Sequence, residues 1–246
     1  MNSRTPLALL GGLSPSQFMR RHWQKKPLLV RQAVPGFESP LSMQDLKALI
    51  TQGPKNWTMR HGPLKARSFP ARNQRAWTFL VQGVNLHDDR VSDFMRQFRF
   101  VPDARLDDVM ISWASDGGGV GPHFDSYDVF LFQAQGRRRW RIGRSDDLAL
   151  QPDVPLKILR RFEPEAEFVL EPGDMLYLPP RYAHDGIAEG ECMTWSIGFR
   201  SAPRHEWARE ILSRLSDHLP EDPVLYGDAQ QTCPSSPAQI PLAMHT

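Results

Sequence analysis

Two side chains that could bind a metal ion stand two residues apart in the middle of the chain, His123 and Asp125. The residues after them are strongly β-forming, and alternate residues of a strand share a face, so both side chains should point to one place. A third ligand must come from elsewhere in the sequence, and His184 is the best candidate. Two histidines and one carboxylate that leave coordination positions open are typical of non-haem Fe(II) oxygenases.

A glycine-rich loop over residues 117–121 comes directly before this pair. The loop supports the interpretation as a site, because binding residues are often found where a loop meets a rigid element. A phosphate-binding loop is disfavoured, since no Lys-Ser or Lys-Thr follows the glycines. His61 and His87 are weaker candidate ligands, and surface positions are expected for both because nothing in the sequence pairs with them.

A second signal comes from the arginine-rich segment that follows. The Gln-Gly pair at 135–136 predicts a hairpin turn, and residues 137–142 then predict a strand. Alternation places Arg138 on the apolar face with Trp140 and Ile142, and the other three arginines on a solvated face. A buried guanidinium needs an anion. An internal Asp or Glu would satisfy it, and so would an anionic cosubstrate held by two parallel hydrogen bonds.

Several longer segments carry a resemblance to a known family: residues 21–30, 77–85, 105–113, 117–130, 136–143, 171–186 and 196–200. By these segments the chain resembles the JmjC-type oxygenases. Within them it resembles the bacterial ribosomal oxygenases, which hydroxylate an arginine of a large-subunit ribosomal protein. The resemblance covers about the first four-fifths of the chain, and the combination is far more specific than any single motif.

The resemblance implies a site with an iron ion and an organic cosubstrate. It implies that the Fe(II) ligands are His123, Asp125 and His184, with no catalytic residue beyond them. For 2-oxoglutarate, it implies that Arg138 and Ser112 contact the distal carboxylate. It also implies that Thr194 and Ser196 line the same pocket. The implied reaction consumes O2, hydroxylates a ribosomal protein substrate, and releases succinate and CO2.

Composition agrees with a single, turn-rich domain that is mainly β. The chain has 246 residues, of which 40% are apolar, with 22 prolines and 17 glycines. The expected fold is a double-stranded β-helix of the jelly-roll, cupin-like kind with flanking helices. Two cysteines are too few for a disulfide scaffold, and the net charge of +2 is too small to imply direct nucleic-acid binding. With no membrane-length apolar run and residues 6–13 interpreted as a mature N-terminus, we expect a cytoplasmic protein.

Periodicity and turn residues predict the individual elements. The predicted helices begin at Ser14 and Ser42 and cover residues 90–98 and 205–219. The predicted strands cover residues 28–30, 77–84, 109–113, 168–170, 175–178 and 193–199. Residues 145–165 are polar and contain three prolines, so we expect an excursion outside the core.

We expect three regions along the chain. Residues 1–202 form the oxygenase domain, with its catalytic core at about 77–200, and 227–246 form a disordered tail. Residues 203–226 begin the helical dimerisation region of the family, and the apolar stripe of helix 205–219 predicts a weak homodimer. The resemblance implies a further helical region and a winged-helix domain, of which this chain carries at most the first helix, so we expect less docking surface and slower hydroxylation of the substrate.

Four alternative functions were weighed. A histidine hydroxylase acting on a ribosomal protein remains open, because nothing in the composition selects arginine over histidine. A non-catalytic cupin-like binding module with a vestigial metal site also remains open, although the intact ligands and Arg138 disfavour it. A cupin isomerase or dioxygenase is disfavoured because it would offer His-x-His and a later Glu. A methyl-lysine demethylase is disfavoured by the ribosomal-oxygenase segments.

Overall fold

The computed structural model describes residues 3–52, 57–62, 64–66, 74–145, 147–154, 156–201 and 203–219. The chain divides into two compact units, Met1–Ser201 and Ala202–Thr246. The predicted tail, 227–246, lies outside the described residues. No helix in the described ranges is both long enough and apolar enough to cross a bilayer.

The first unit contains three helices and nine strands among its described residues. Its helices are α1 (Pro15–Arg21), α2 (Met43–Gln52) and α3 (Asp89–Met95). Its strands are β1 (Leu28–Val30), β2 (Trp57–His61), β3 (Leu64–Ala66), β4 (Trp77–Val81), β5 (Leu106–Ala114), β6 (Asp128–Gly143), β7 (Ala166–Leu170), β8 (Met175–Leu178) and β9 (Ala183–Phe199). The strands form one antiparallel sheet in the order β1-β8-β6-β9-β5-β4-β2-β3, with β7 paired to β6. This mainly β architecture with few helices confirms the predicted fold class.

The helices begin where capping residues predict them to begin. Ser14 and Gln17 form a capping box at α1, and Pro15 occupies the first helical position. At α2, the Asp45 carboxylate accepts hydrogen bonds from the backbone N–H and the hydroxyl of Ser42. The predicted helix over 90–98 is split, because α3 ends at Met95 and a single 3-10 turn continues to residue 98.

The hairpin predicted at Gln135-Gly136 is wrong, because the backbone does not reverse there. β6 runs through these residues as one 16-residue strand, and its register with β9 shifts on both sides of Gln135. Gly136 has a φ of 62°, and a Cβ there would lie 2.1 Å from the Glu191 carbonyl oxygen. The Gln133 amide donates to the carbonyl oxygens of residues 135 and 136. The glycine therefore serves a β-bulge that bends the strand.

This bulge decides which strands flank β6 along its length. Before the bulge, residues 129–132 pair with β8, and after it residues 138–142 pair with β7. β9 accompanies β6 on its other edge along both halves and is itself one 17-residue strand. The two long strands therefore form the central ribbon of the sheet, and both carry predicted site residues on their inner faces.

The predicted excursion over residues 145–165 is partly wrong, because two of its side chains are buried. Ile158 and Leu159 are 2% and 1% exposed. Ile158 forms an isolated β-bridge with His123, and the Leu159 N–H donates to the Pro122 carbonyl oxygen. The segment therefore folds back over the start of the predicted metal-binding motif.

The second unit is described through its helix α4 (Arg204–Asp217). No side chain of α4 is buried, and its exposed apolar residues include Trp207, Ile211 and Leu215. Self-association through this helix stays a prediction. Sedimentation at increasing protein concentration would test it, and a Trp207→Glu, Leu215→Glu double variant should abolish the association.

Candidate metal centre

A cavity of about 350 Å³ opens on the inner face of the central strands. The predicted site residues that line it are His123, Asp125, His184, Ser112, Arg138 and Ser196. Side chains from β2, β4, β5, β6 and β9 contribute to its wall, together with the glycine loop and the segment after β6. The antiparallel sheet thus brings together residues that are far apart in the sequence.

The three predicted metal ligands meet at one point of this cavity. One potential ligand atom from each of His123, Asp125 and His184 lies within 4.8 Å of the others. The two histidines are direct cross-strand partners, and each backbone N–H donates to the other's carbonyl oxygen at 3.0 and 2.8 Å. Their rings are 4.3 Å apart, and His184 Nε2 is 3.7 Å from Asp125 Oδ2. This donor set suits a divalent transition metal with open positions.

Backbone carbonyl groups set the tautomer of both histidines. His123 Nδ1 is 2.9 Å from the Gly121 carbonyl oxygen, and His184 Nδ1 is 3.0 Å from that of Tyr182. A carbonyl oxygen can only accept a hydrogen bond, so Nδ1 carries the proton in each ring. Nε2 is therefore left as the free lone pair, which is the arrangement that a metal-binding histidine needs.

Burial keeps the His184 ring neutral. His184 is 3% exposed, and its pKa is lowered to about 4, mainly by burial and then by the nearby His123 ring, with Asp125 opposing the shift. A neutral imidazole is the form that binds a metal. The site is therefore in its ligating state at neutral pH without any proton having to leave His184.

Arg138 lies in the same cavity with its charge unpaired. The side chain is 4% exposed, and Nη1 donates to the Ser112 hydroxyl at 3.0 Å. Its Nε and Nη2 atoms are buried and have no hydrogen-bond partner, and no carboxylate among the described residues forms an ion pair with it. A buried cation in this state is costly unless an anion binds. The sequence left open whether Arg138 pairs with an internal Asp or Glu. No such ion pair exists among the described residues.

The remaining predicted cosubstrate residues divide into two groups. Ser112 and Ser196 line the cavity, and the Ser112 hydroxyl contacts Arg138. Thr194 is not among the residues that line it, and its hydroxyl donates to the Gln133 side chain at 2.9 Å, so a contact between Thr194 and the cosubstrate stays a prediction. Gln133 is completely buried, so this pair of side chains satisfies itself inside the barrel. Strand alternation placed Thr194 on the correct face but could not reveal its partner.

Of the two weaker histidine candidates, only His87 has a described side chain, and it lies outside this cluster. His87 is exposed and belongs to no ligand cluster within the described ranges. The side chain of His61 lies outside the described residues.

Sequence reasoning missed Asp108 and Tyr127, which lie at one side of the cavity next to Gly198. Asp108, Tyr127 and Gly198 all line it. A Cβ on Gly198 would lie 3.7 Å from both Asp108 Oδ1 and Tyr127 Cε2, so the absent side chain leaves a gap between a carboxylate and an aromatic ring. Asp108 Oδ2 accepts a hydrogen bond from the Gly83 N–H at 2.8 Å. The resembling segment at 105–113 contains this aspartate, but a lone Asp in a strand carries no signal of its role.

The electrostatics of this gap are anionic. Burial raises the pKa of Asp108, and the neighbouring Asp107 adds to the shift. Partial burial and the carboxylates of Asp125, Asp108 and Asp107 raise the pKa of the Tyr127 phenol, which stays protonated. A cationic group that entered the gap would meet a carboxylate and an aromatic ring, both of which attract positive charge.

Comparisons with known proteins agree with this geometry. Residues 93–207 match the profile of the JmjC domain. The chain is 38% identical over 215 residues to the ribosomal protein uL16 3-hydroxylase of Escherichia coli K12, which covers 82% of this chain and 56% of that protein. It is 35% identical over 203 residues to a probable ribosomal oxygenase of Haemophilus influenzae, which covers 76% of this chain and 50% of that protein.

A solved structure shows the same fold. The ribosomal oxygenase YcfD from Escherichia coli, in complex with cobalt and 2-oxoglutarate, superposes with a TM-score of 0.73 at 33% identity. The match covers 94% of this chain and 63% of YcfD. The chain thus spans about half to two-thirds of the length of these relatives. It contains a JmjC domain and is a homologue of the Escherichia coli ribosomal protein uL16 3-hydroxylase.

Proposed function

We propose that this chain is an Fe(II)- and 2-oxoglutarate-dependent oxygenase that hydroxylates an arginine side chain of a large-subunit ribosomal protein. The observation that carries the proposal is Arg138, a buried cation without an acidic partner in the described part of the chain, which shares one cavity with the His123, Asp125 and His184 cluster. A dicarboxylic keto acid fits both features, since one end can reach the metal while the other meets the guanidinium.

Residues of this chain account for the binding and orientation steps. His123 and His184 would hold Fe(II) through Nε2 and Asp125 through a carboxylate oxygen. Arg138 offers two unpaired N–H groups to the distal carboxylate, and the Ser112 hydroxyl keeps the guanidinium in place. When bound, the iron supplies the oxidative chemistry that couples decarboxylation of the keto acid to hydroxylation of a C–H bond.

The gap at Gly198 supports arginine as the target residue. A guanidinium is flat and always charged, stacks on aromatic rings, and pairs with carboxylates through parallel hydrogen bonds. Asp108 Oδ1 and the Tyr127 ring face the gap from two sides at the same 3.7 Å distance from a Gly198 Cβ position. A neutral imidazole would gain much less from this carboxylate, which favours arginine over histidine.

The relatives support the ribosomal substrate. The Escherichia coli relative is named as a hydroxylase of ribosomal protein uL16, and the Haemophilus influenzae relative as a probable ribosomal oxygenase. We propose a homologous ribosomal protein as the substrate and the cytoplasm, where ribosomal proteins are made, as the site of action.

Mass spectrometry of a substrate digest tests the proposal. Purified ribosomal proteins are incubated with the chain, Fe(II), 2-oxoglutarate and O2, and the expected product is one large-subunit protein heavier by one oxygen atom on an arginine. The oxygen on a histidine would favour the alternative hydroxylase. Absence of any modified protein, together with no keto-acid turnover, would support the non-catalytic binding module.

Two variants test the arginine subsite separately from the iron site. Gly198→Ala places a methyl group at ordinary contact distance from Asp108 and Tyr127, so it should fill the gap without disturbing the fold. It should weaken binding of an arginine peptide while leaving 2-oxoglutarate affinity unchanged. Asp108→Asn should weaken the same peptide by about ten- to a hundredfold, as expected for a lost hydrogen bond to a charged group. Asp93→Asn, an exposed aspartate on α3, is the matched control.

A further inference from the structure

Trp140 lies on the wall of the cavity between the metal ligands and Arg138. On the inner face of β6 the order is Arg138, Trp140 and Ile142, and these residues pair across β9 with Ala188, Gly186 and His184. The Trp140 ring centroid is 5.8 Å from the His184 ring and 5.7 Å from Arg138 Cζ. Four residues of strand span about 13 Å, so a ligand that connects the metal to Arg138 must pass this indole.

The indole N–H of Trp140 is a buried donor without an acceptor. The side chain is 5% exposed, and Nε1 has no hydrogen-bond partner among the residues that the structure describes. Its apolar neighbours, including Ile142 and Leu170, offer no acceptor atoms. Most buried polar groups are paired, and one that is not requires an explanation. Since Trp140 also lines the cavity, the explanation that fits best is an acceptor supplied by a bound ligand.

Gly186 sets the orientation of this ring. A Cβ on Gly186 would lie 2.6, 2.7 and 2.9 Å from Cζ3, Cη2 and Cε3 of Trp140, so the indole rests directly on the bare backbone of β9. These three atoms belong to the six-membered ring on the side away from Nε1. The edge of the indole that carries the N–H is therefore turned away from β9.

We propose that Trp140 is a third polar contact for the keto-acid cosubstrate, donating its indole N–H to a carboxylate oxygen of bound 2-oxoglutarate. The inference rests on the proposed cosubstrate but not on the identity of the protein substrate. Together with Arg138 Nε and Nη2, the indole supplies three donors that are buried and unpaired in one cavity. An anionic ligand satisfies all three at once, whereas water would leave the charge of Arg138 uncompensated.

Trp140→Phe tests the contact because it retains a buried aromatic ring and removes the N–H. Calorimetry on the Zn(II)-loaded protein should show 2-oxoglutarate affinity lower by about tenfold, with Zn(II) affinity unchanged. The matched control is Trp195→Phe, which also removes a buried indole N–H. That N–H contacts Met193 Sδ at 3.1 Å, and Trp195 does not line the cavity. It should bind 2-oxoglutarate like the natural chain.

A spectroscopic readout follows the indole N–H of Trp140 directly in the natural chain. The chain has seven tryptophans, and the indole resonance that is missing in Trp140→Phe identifies Trp140 in a ¹⁵N NMR spectrum. Adding 2-oxoglutarate to the Zn(II)-loaded chain should move this proton downfield and protect it from solvent exchange. A shift with succinate as well would assign the distal carboxylate as acceptor, and a shift with 2-oxoglutarate alone would assign the keto-acid end.

Two outcomes would overturn the inference in distinguishable ways. If the natural chain binds 2-oxoglutarate, but Trp140→Phe binds it equally well or the Trp140 resonance does not move, the indole is not a contact and the proposed function still stands. If the metal-loaded natural chain fails to bind 2-oxoglutarate, the proposed function itself is wrong and this inference fails with it.

Discussion

The arginines on the two faces of β6 lie in opposite environments. On the outer face, Arg137, Arg139 and Arg141 are largely exposed and form ion pairs with Glu189, Glu167 and Asp185. On the inner face, Arg138 is buried, and no acid among the described residues pairs with it. Each outer arginine has an acidic partner within the chain, although Arg141 Nε is buried and makes no hydrogen bond among the described residues. The inner arginine has no acidic partner there, so its charge is paired only when an anionic ligand is bound.

This difference shows how a stable sheet can carry a site that costs stability. The ion pairs of Arg137 and Arg139 lie at the surface and contribute little to stability, so this part of the outer face tolerates change. The pair between Arg141 and Asp185 differs, because the Asp185 carboxylate is buried. A buried unpaired cation opposes folding and persists where function requires it. The inner face should therefore respond to substitution through ligand binding, and the outer face only through small changes in stability.

The largest expected effect comes from two adjacent residues of β9. His184 faces the cavity, whereas the Asp185 carboxylate pairs with Arg141. His184→Ala should lower Co(II) or Fe(II) affinity by more than about a hundredfold, since even loss of a residue that only supports a metal ligand costs 10- to 100-fold. Calorimetric titration with Co(II) measures it, and Asp185→Asn serves as the control. Comparable losses in the two variants would contradict the division between faces.

The next effect separates function from stability at Arg138. Arg138→Met should weaken 2-oxoglutarate binding by about ten- to a hundredfold and leave metal affinity unchanged. The ligand-free variant should be at least as stable as the natural chain, because a buried charge without a partner has been removed. Thermal unfolding and calorimetry measure the two quantities, and Arg139→Met is the matched outer-face control. A marked loss of stability in ligand-free Arg138→Met would mean that an internal partner exists.

A third prediction concerns the pH dependence of the inner carboxylate Asp108. Burial raises its pKa above 3.8, so the folded state holds more protons than the unfolded state between 3.8 and the raised value. Stability therefore falls as pH rises through this window. Asp108→Asn should be more stable than the natural chain at neutral pH, with the advantage fading at acidic pH. Urea unfolding across this range measures it, and a pH-independent difference would refute the assignment.

The smallest effect, of opposite sign, belongs to the outer carboxylate Glu189. Hydrogen bonds from Arg139 and Arg137 lower its pKa below 4.5, so its stabilisation is present above that value and is lost as pH falls through the folded-state pKa. Glu189→Gln should be slightly less stable at neutral pH. The difference should vanish in acid and shrink in high salt, because the pairs are exposed. A difference that survives in 1 M salt would indicate packing rather than charge.

Local sequence patterns were sufficient to predict much of the fold and part of the site. Capping residues predicted where α1 and α2 begin, because a cap is satisfied within one helical turn. Alternation predicted the inward direction of Arg138, because side-chain direction in a strand has a period of two. The His-x-Asp spacing predicted a shared position for His123 and Asp125, and the structure brings His184 to them.

Errors arose where a distant partner decided the outcome. A glycine such as Gly136 is typical of a turn, but here the backbone of Glu191 on β9 packs against it. The strand therefore forms a bulge instead of a turn. Thr194 faces inward as predicted, yet its hydroxyl donates a hydrogen bond to the Gln133 side chain, and Thr194 does not line the cavity. The segment after β6 is polar overall, but two of its apolar side chains cover the residues around His123.

The sequence by itself determined the chemistry that is available: two imidazoles, a carboxylate and a guanidinium on β-forming segments. Only the tertiary structure decided that, within the described ranges, Arg138 has no acidic partner and the Trp140 N–H has no acceptor, and that Gly198 leaves a gap beside Asp108. The physical reason is that a hydrogen bond, an ion pair or an empty space depends on what every neighbouring strand places opposite a residue. Local periodicity specifies direction, but it does not specify the partner.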